Sequence, residues 1–586
     1  MNQIPSRKIK SYFLGPQAEN AEIVKKLGNF IFGHWFSWRK KQFPNDGSAI
    51  TAEDQLSPEF RNELKNIKFH VLDLVARLQR EVPSFSPRYI GHMVSEISLP
   101  ALMGHFITLV HNPNNITGEV ARVSIEIERE AIGEVMKMLG FSPELSRGHF
   151  TSGGTVANIE GLVRARSRLA KWIAAGILST ENKITQKSLF ELAHQGWESF
   201  DNLAANFPAE EIRHRHFLHS NPLRVAKTIE SVFGIDYNGP IVLAPSSKHY
   251  CWPKAIILMG LGANAFWPVD LDKTGGMSVV DLKKKIELAR KQNRPILGVV
   301  SVAGTTELGD FDPIHEIQQT LDDLILKEGI HIWHHIDAAY GGFFRCIAET
   351  PESPLTASTH AALKAIEKAD SVTVDPHKLG YVPYASGAFV CKNAHEYYVA
   401  PFDAPYLRFD YDSNKMPQTL EGSRSAGGAM STWLTAKCIG LNSEGYGQIL
   451  TQTIKQRQNL ERKITRAHPL VRVAPHSETN ILCFTIAKEG ESIAAANNRA
   501  LKMYEAINHN EKIPFFVSMT SLKWENYGPF LDDYVSSWSA IIDDSKLSLL
   551  RLTLMNPFFE SDSTEINYSD ELIRELLILI EQFSKA

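Results

Sequence analysis

An α/β fold is what this chain predicts, and three stretches predict it. Between about residues 126 and 428, short apolar or β-branched runs at 241–244, 296–302, 332–337, 372–375 and 387–391 alternate with helical patterns, as crossover units on an open sheet do. From residue 429 onward a helix at 454–464 alternates with strands at 481–486 and 549–554 and closes with a helix at 570–583, a smaller α/β lobe. The first part, residues 1–125, mixes helical patches such as 67–78 with extended pieces and a loop at 83–87. A polar, helix-prone insertion at 170–239, rich in Glu, His and Asn through 210–221, has no chemistry assigned to it.

The most informative residue follows the strand at 372–375. Val372 and Val374 alternate with Thr373 as a buried strand does, and Pro376 cannot continue the ladder, so the chain leaves the sheet before His377 and Lys378. Ligands of open α/β sheets collect at that carboxyl edge. A lysine there reads as the anchor of a covalently held pyridoxal phosphate, with desolvation lowering its pKa toward the free amine. A second strand delivers Asp337 to its end, followed by Ala338 and Ala339. Such a carboxylate can keep a pyridine nitrogen protonated over a floor of small residues. A turn before Gly341 and Gly342 would also use an aspartate as a cap.

Residues 148–158 read as a Gly/Ser/Thr turn feeding a helix with Val156, Ile159, Leu162, Val163 and Ala165 on it. Backbone N–H groups, the hydroxyls of Ser152 and Thr155 and the helix dipole suit a phosphate there. The turn is neither a GxGxxG nor a Walker sequence and, taken alone, could serve as an N-cap.

The order of these pieces (phosphate turn, histidine, Thr-bearing strand, Asp strand, Lys strand) resembles the fold-type-I, group II pyridoxal-phosphate-dependent amino acid decarboxylases, and within them the large bacterial tyrosine decarboxylases. The likeness runs from about Ser86 to Pro557. It includes Ser86-Pro87-Arg88-Tyr89, Gly91-His92-Met93, Asn112-Pro113-Asn114-Asn115, Gly153 through Asn158, Asp375-Pro376-His377-Lys378, Pro383-Tyr384, Leu420-Glu421-Gly422-Ser423, Gly445-Tyr446-Gly447 and Met555-Asn556-Pro557.

The resemblance implies a large mixed-sheet cofactor domain (126–428) with helices on both faces, a small C-terminal α/β domain (429–586) and an N-terminal segment (1–125) that wraps a partner subunit. It implies that Lys378 carries pyridoxal phosphate, Asp337 pairs with the ring nitrogen, Ala339 packs beneath the ring and His249 stacks on the other face and orients the substrate. Thr305 would lie beside the ring substituents. Ser152, Gly153, Gly154, Thr155 and His377 would hold the phosphate, joined by Ser423 of the partner subunit, which makes the homodimer obligate. Tyr384, which matches the family's Pro-Tyr, would deliver a proton to Cα after CO2 leaves. His92 and Thr553 would line the substrate pocket.

Composition fits an ordinary soluble enzyme: 586 residues, 43% hydrophobic, 22% charged, net charge −4. Lys and Arg are dispersed, with no basic stripe to bind nucleic acid. The five cysteines form no CxxC pair, which favours a reducing compartment without structural zinc or disulfides. No apolar run is long enough to span a bilayer and the N-terminus lacks a signal-type core, so a cytoplasmic protein is expected. The groups His331, His334, His335 and His214, His216, His219 read as packing or surface histidines rather than metal ligands, because alternation puts His334 and His335 on opposite strand faces and His216 and His219 lack a nearby thiolate or HExxH frame.

Similarity points to an aromatic L-amino acid, tyrosine first, as substrate. Two features leave room for an aspartate or glutamate decarboxylase or an aldolytic carbon–carbon lyase. Close cofactor geometry serves acidic substrates too. Arg424-Ser425 stands where the tyrosine enzymes more often show Lys-Ala, and an arginine there would favour an acidic substrate or bind phosphate. A catalytically silent scaffold relative is disfavoured by the presence of Lys378, Asp337 and His249 together.

Overall fold

A computed structural model describes residues 6–348, 350, 353–400, 419–510, 512–560 and 566–584. A seven-stranded sheet is built from β1 (Arg147–Thr151), β2 (Ile241–Pro245), β3 (Phe266–Val269), β4 (Ile296–Val302), β5 (His334–Asp337), β6 (Ser371–Val374) and β7 (Gly387–Cys391), in the order β1-β7-β6-β5-β4-β2-β3. Strands β3, β2, β4, β5 and β6 pair in parallel, while β7 and β1 run antiparallel to their neighbours. A four-stranded antiparallel sheet, ordered β10-β11-β9-β8, comprises β8 (Val471–Val473), β9 (Ile481–Ile486), β10 (Ser518–Lys523) and β11 (Lys546–Thr553).

The central strands are apolar on both sides because helices cover both faces. Val242, Ala244 and Val300 pack under the long helix Gly154–Glu181. Ile241, Leu243 and Val299 face Leu282 and Ile286 of helix Val279–Lys291 and Ile317 and Leu321 of helix Ile314–Glu328. The small sheet buries Leu482, Phe484, Leu550 and Leu552 against Leu572, Leu576 and Leu579 of the last helix, Tyr568–Ser584. The expected strands and helices of both sheets are therefore present.

Three local features differ from the sequence reading. Residues 148–151 are strand rather than turn, because Gly148 to Thr151 pair with Val390 to Gly387 of β7; the turn proper is Ser152-Gly153. β3, β8 and β10 were not anticipated, being short or partly exposed. The insertion is helical, as expected, but its first residues belong to helix Gly154–Glu181. Its helix Leu189–Ala193 ends against β4, where the His194 ring accepts from the Ile296 N–H at 3.1 Å.

The N-terminal segment is docked through a buried carboxylate. Glu96 accepts from the Gly15 N–H at 2.8 Å, beside the bridge between Phe13 and Ser98. Burial pushes its pKa up from 4.5 to about 7, only partly opposed by the Gly15 N–H. As pH rises from 4.5 to about 7 the unfolded chain loses this proton before the folded one, so folding stability falls across that window. The loss is on the order of 3 kcal/mol. Glu96→Gln keeps an acceptor for Gly15 and removes the titration. It is expected to raise the thermal unfolding midpoint near pH 8, give no gain near pH 4.5, and flatten the slope between, as measured by calorimetry.

Candidate active site

The strand order reverses between β2 and β4, and the carboxyl ends of β2, β4, β5 and β6 open there into a cavity of about 320 Å3. Ten of the residues singled out from the sequence line it: Ser152, Gly153, Gly154, Thr155, His249, Thr305, Asp337, Ala339, His377 and Lys378. The crevice brings them together from segments more than 200 residues apart.

Lys378 Nζ lies 3.1 Å from Asp375 Oδ2. Burial alone would lower its pKa, but Asp375, then Asp337, outweigh that effect and hold it above the usual lysine value. This corrects the expectation of a pKa lowered by desolvation: two carboxylates at one sheet edge favour the ammonium more than burial disfavours it. His377 is also tied to this carboxylate, with Nε2 at 3.5 Å from Asp375 Oδ2, while its Nδ1 accepts from the Ser386 N–H at 3.3 Å. Burial pushes the His377 ring toward its neutral form, against the pull of Asp375.

Asp337 ends β5, where Oδ2 accepts from Asn158 Nδ2 and from Trp252 Nε1, each at 2.9 Å, and Oδ1 takes only a 3.3 Å bond from the Ala339 N–H. Neither Asn158 nor Trp252 was singled out from the sequence as a partner of this carboxylate. Asn158 lies one helical turn beyond the Ser-Gly-Gly turn, a spacing that could have flagged it. His249 follows β2; its Nδ1 accepts from the Cys251 N–H at 3.3 Å and burial lowers its pKa. Thr305 Oγ1 accepts from the N–H groups of Leu308 and Asp310 at 3.4 and 3.1 Å, holding the loop after β4.

The turn between β1 and its helix already holds an anion. The Ser152 N–H donates to Glu421 Oε2 at 3.1 Å. Ser247, also unanticipated, lines the same cavity with a buried hydroxyl that has no protein partner. At Gly387 on β7 an added Cβ would stand 2.6 Å from the Gly153 backbone, so the absence of a side chain there lets the turn seat on the sheet.

Four residues lie outside the cavity lining. Tyr384 is exposed, its ring tilted on His377 at 4.4 Å, and burial of its hydroxyl end raises its pKa. His92 is exposed as a residue, and the partial desolvation of its ring, followed by Arg551, lowers its pKa. Thr553 is a correction: its hydroxyl donates to the Gly91 carbonyl at 3.3 Å and its N–H to Ile90 at 2.7 Å, so it clamps the backbone leading to His92 rather than facing a ligand. Ser423, expected at a partner's site, is exposed and accepts from Asn114 Nδ2 at 3.1 Å.

Arg424 is a second correction. It is buried and spends its guanidinium on Glu128 at 2.6 and 3.2 Å and on the carbonyls of Phe150 and Asn115, which leaves it to fasten β1 and not to meet an acidic substrate or phosphate. The arginine that sequence reasoning missed is Arg551 on β11. Its Nη1 touches the Gly91 carbonyl at 3.3 Å and Ser518 Oγ at 3.1 Å, while its Nε and Nη2 are buried without partners.

Residues 234–487, which supply β2 to β7 and Lys378, match the family described as pyridoxal-dependent decarboxylase conserved domain. The chain carries a pyridoxal-phosphate-dependent decarboxylase domain. This decarboxylase is 29% identical to an L-tyrosine decarboxylase of Enterococcus faecium over 97% of this chain and 98% of that one. It is 28% identical to an aspartate 1-decarboxylase of Aliivibrio fischeri over 74% and 69% of the two chains. The fold is shared with apo mouse CSAD (TM-score 0.62, 17% identity, 96% and 98% covered) and with Catharanthus roseus tryptophan decarboxylase solved with L-tryptophan (TM-score 0.61, 13% identity, 97% and 98% covered).

The donor set fits the family's cofactor. A turn that holds a carboxylate oxygen on its N–H suits a phosphate, Ser247 offers an orphaned hydroxyl, and a lysine and an aspartate face one cavity. The histidines weighed as metal ligands have protein partners: His334 bonds Gln318 and Ser301 at 2.8 Å each, and His335 bonds Ser371 at 2.7 Å. Among the described residues no three metal-capable side chains converge and no helix is long and apolar enough to cross a membrane. Gly387→Ala should displace the turn and weaken binding of pyridoxal phosphate by roughly tenfold or more, measured by titration of the apoprotein, with unchanged far-UV circular dichroism.

Proposed function

We propose that this decarboxylase converts an aromatic L-amino acid, tyrosine first, to its amine and CO2. The observation that carries the substrate is the relation to tyrosine decarboxylases along nearly the whole of both chains, which spans the pocket walls as well as the cofactor site.

Bound pyridoxal phosphate supplies a carbonyl that takes an amino group and a ring that accepts the electron pair left when CO2 departs. The residues divide the remaining work. Lys378 would hold the cofactor, its ammonium facing Asp375 when free. Asp337 would keep the ring nitrogen protonated. Ser152, Gly153, Gly154, Thr155 and His377, with Ser423 of the partner subunit, would bind the phosphate. Ala339, His249 and Thr305 would enclose the ring. Tyr384, its ring on His377 and its phenol kept protonated, would supply the proton to Cα. His92 and Arg551 bind the substrate, because Arg551 offers unpartnered N–H groups beside the segment that carries His92.

The working form we propose is a homodimer. Helices Ala21–Gln42 and Pro58–Leu78 bury none of their residues, although Leu64, Ile67, Val71, Leu74 and Leu78 form a stripe at alternating spacings of three and four. All five are exposed. Apolar faces of this size mark an interface, and a second copy of this chain would cover them while bringing Ser423 to its neighbour's phosphate.

Amine and CO2 release from a panel including tyrosine, phenylalanine, tryptophan, aspartate and glutamate tests the reading. Tyrosine should give the highest kcat/KM, Lys378→Ala should abolish turnover, and Tyr384→Phe should lower kcat by about 10²–10⁴-fold while pyridoxal phosphate still binds. Faster release from aspartate would overturn the substrate assignment. Sedimentation should show a dimer, and Ile67→Glu with Leu74→Glu should yield monomers of low activity; a monomeric, fully active parent would refute the dimer.

A further inference from the structure

Asp337 is held from behind by a chain of buried side chains that leads away from the cavity. Trp333 Nε1 is 2.9 Å from Ser371 Oγ, which is 2.7 Å from His335 Nδ1. On the other side of the ring, His335 Nε2 is 3.0 Å from Asn158 Oδ1, and Asn158 Nδ2 is 2.9 Å from Asp337 Oδ2. Every member is buried, with at most 5% of any side chain exposed.

The chemistry of the members gives this chain one direction. A tryptophan N–H can only donate, so Ser371 Oγ receives it and its own hydrogen turns to His335 Nδ1. Burial pushes the His335 pKa down to about 4, so the ring carries one proton, and with Nδ1 accepting, that proton sits on Nε2. Nε2–H then donates to Asn158 Oδ1, with Thr373 Oγ1 as a longer alternative at 3.3 Å. The amide of Asn158 is thereby prevented from flipping: its oxygen faces His335 and its NH2 group faces Asp337. Trp252, whose ring stands edge-on to His335 at 5.3 Å, adds the second donor to Asp337 Oδ2. The backbone makes room for this. A Cβ on Gly161, on the helix Gly154–Glu181, would stand 2.5 Å from His335 Nδ1.

We propose that His335 and Asn158 are positioning residues that lock the Asp337 carboxylate by its Oδ2, leaving Oδ1 to receive the ring nitrogen of pyridoxal phosphate. This rests on the reading of Asp337 given above. Without the His335 donor the Asn158 amide can turn its oxygen to Asp337, where two acceptors repel, and the carboxylate loses its fixed orientation toward the ring.

The test is binding, which needs no substrate. The apoprotein is titrated with pyridoxal phosphate and with its 1-deaza analogue, in which carbon replaces the ring nitrogen, and the ratio of the two affinities is measured. The parent should prefer pyridoxal phosphate, as should His335→Gln, which can donate to Asn158 and accept from Ser371. His335→Leu and Asn158→Leu should reduce that preference by about tenfold, the worth of one charge-assisted hydrogen bond, while binding the analogue as the parent does. Gly161→Ala, which displaces the ring without touching Asp337, should act in the same direction. Equal weakening of both ligands in the leucine variants would overturn the proposal and mark the chain as structural packing. A parent that binds both ligands equally would overturn the role of Asp337 itself.

Discussion

Asp375 is the group on which the site depends. It is 2% exposed, it pairs with Lys378 Nζ at 3.1 Å, it sits 3.5 Å from His377 Nε2, and its N–H donates to the Ala339 carbonyl at 3.1 Å. A Cβ on Gly154 would stand 2.8 Å from its Oδ2, so the phosphate turn closes directly on this carboxylate. One acid therefore sets the spacing between the lysine, the floor after β5 and the turn after β1. A carboxylate in such a place is tolerated only while a cation faces it. The raised pKa of Lys378 and the exclusion of water from Asp375 are two views of the same pair. Any change at Lys378 Nζ alters the charge that Asp375 sees, which links the charge on the lysine to the seating of the turn.

The sequence made β2, β4, β5 and β6 legible because they fall in short apolar or β-branched runs set between helical patterns, and it made the candidate cofactor residues legible because they stand at strand ends in a fixed order. Lys378, Asp337, His249 and the Ser152 turn reach one cavity for that reason. What stayed hidden depends on distant partners. Nothing near Arg424 in the chain announces Glu128, almost 300 residues earlier, so its guanidinium could look available when it is consumed. Arg551 lies in an apolar strand and looked like one more charge, yet it is buried with free N–H groups. The pKa of Lys378 was misread because burial is visible in a strand-end pattern, whereas the proximity of Asp375 across a turn, reinforced by Asp337 on the neighbouring strand, is set by the fold. Thr553 shows the opposite error: a polar residue near the expected pocket serves the backbone of Gly91.

Two helices of more than 20 residues each with no buried residue would be hard to maintain in a lone chain. Helices of that length gain most of their stability from packing an apolar face; within one subunit the stripe of helix Pro58–Leu78 stays exposed, while helix Ala21–Gln42 meets helix Leu99–His111, Trp38 lying edge-on to His111 at 5.4 Å. Ser423 likewise stands exposed, on a loop beside Asn114. The second copy proposed above would bury the helices and take up the serine.

Selectivity in such a site is a problem of orientation before it is one of recognition. The bond that breaks is the one held perpendicular to the cofactor ring, and the ring is positioned by groups that do not distinguish one amino acid from another. Asp337, the turn and Lys378 would serve any of them. Discrimination must come from groups that touch the rest of the substrate, and the two proposed for it sit on the other lobe: Arg551 on β11 and His92 on the segment that β11 clamps through Thr553 and Gly91. Under the proposed roles, the chemistry and the choice of substrate reside on different sheets. That separation lets one cofactor geometry serve relatives named for tyrosine and for aspartate, and it places the decisive residues where strand patterns carry the least information.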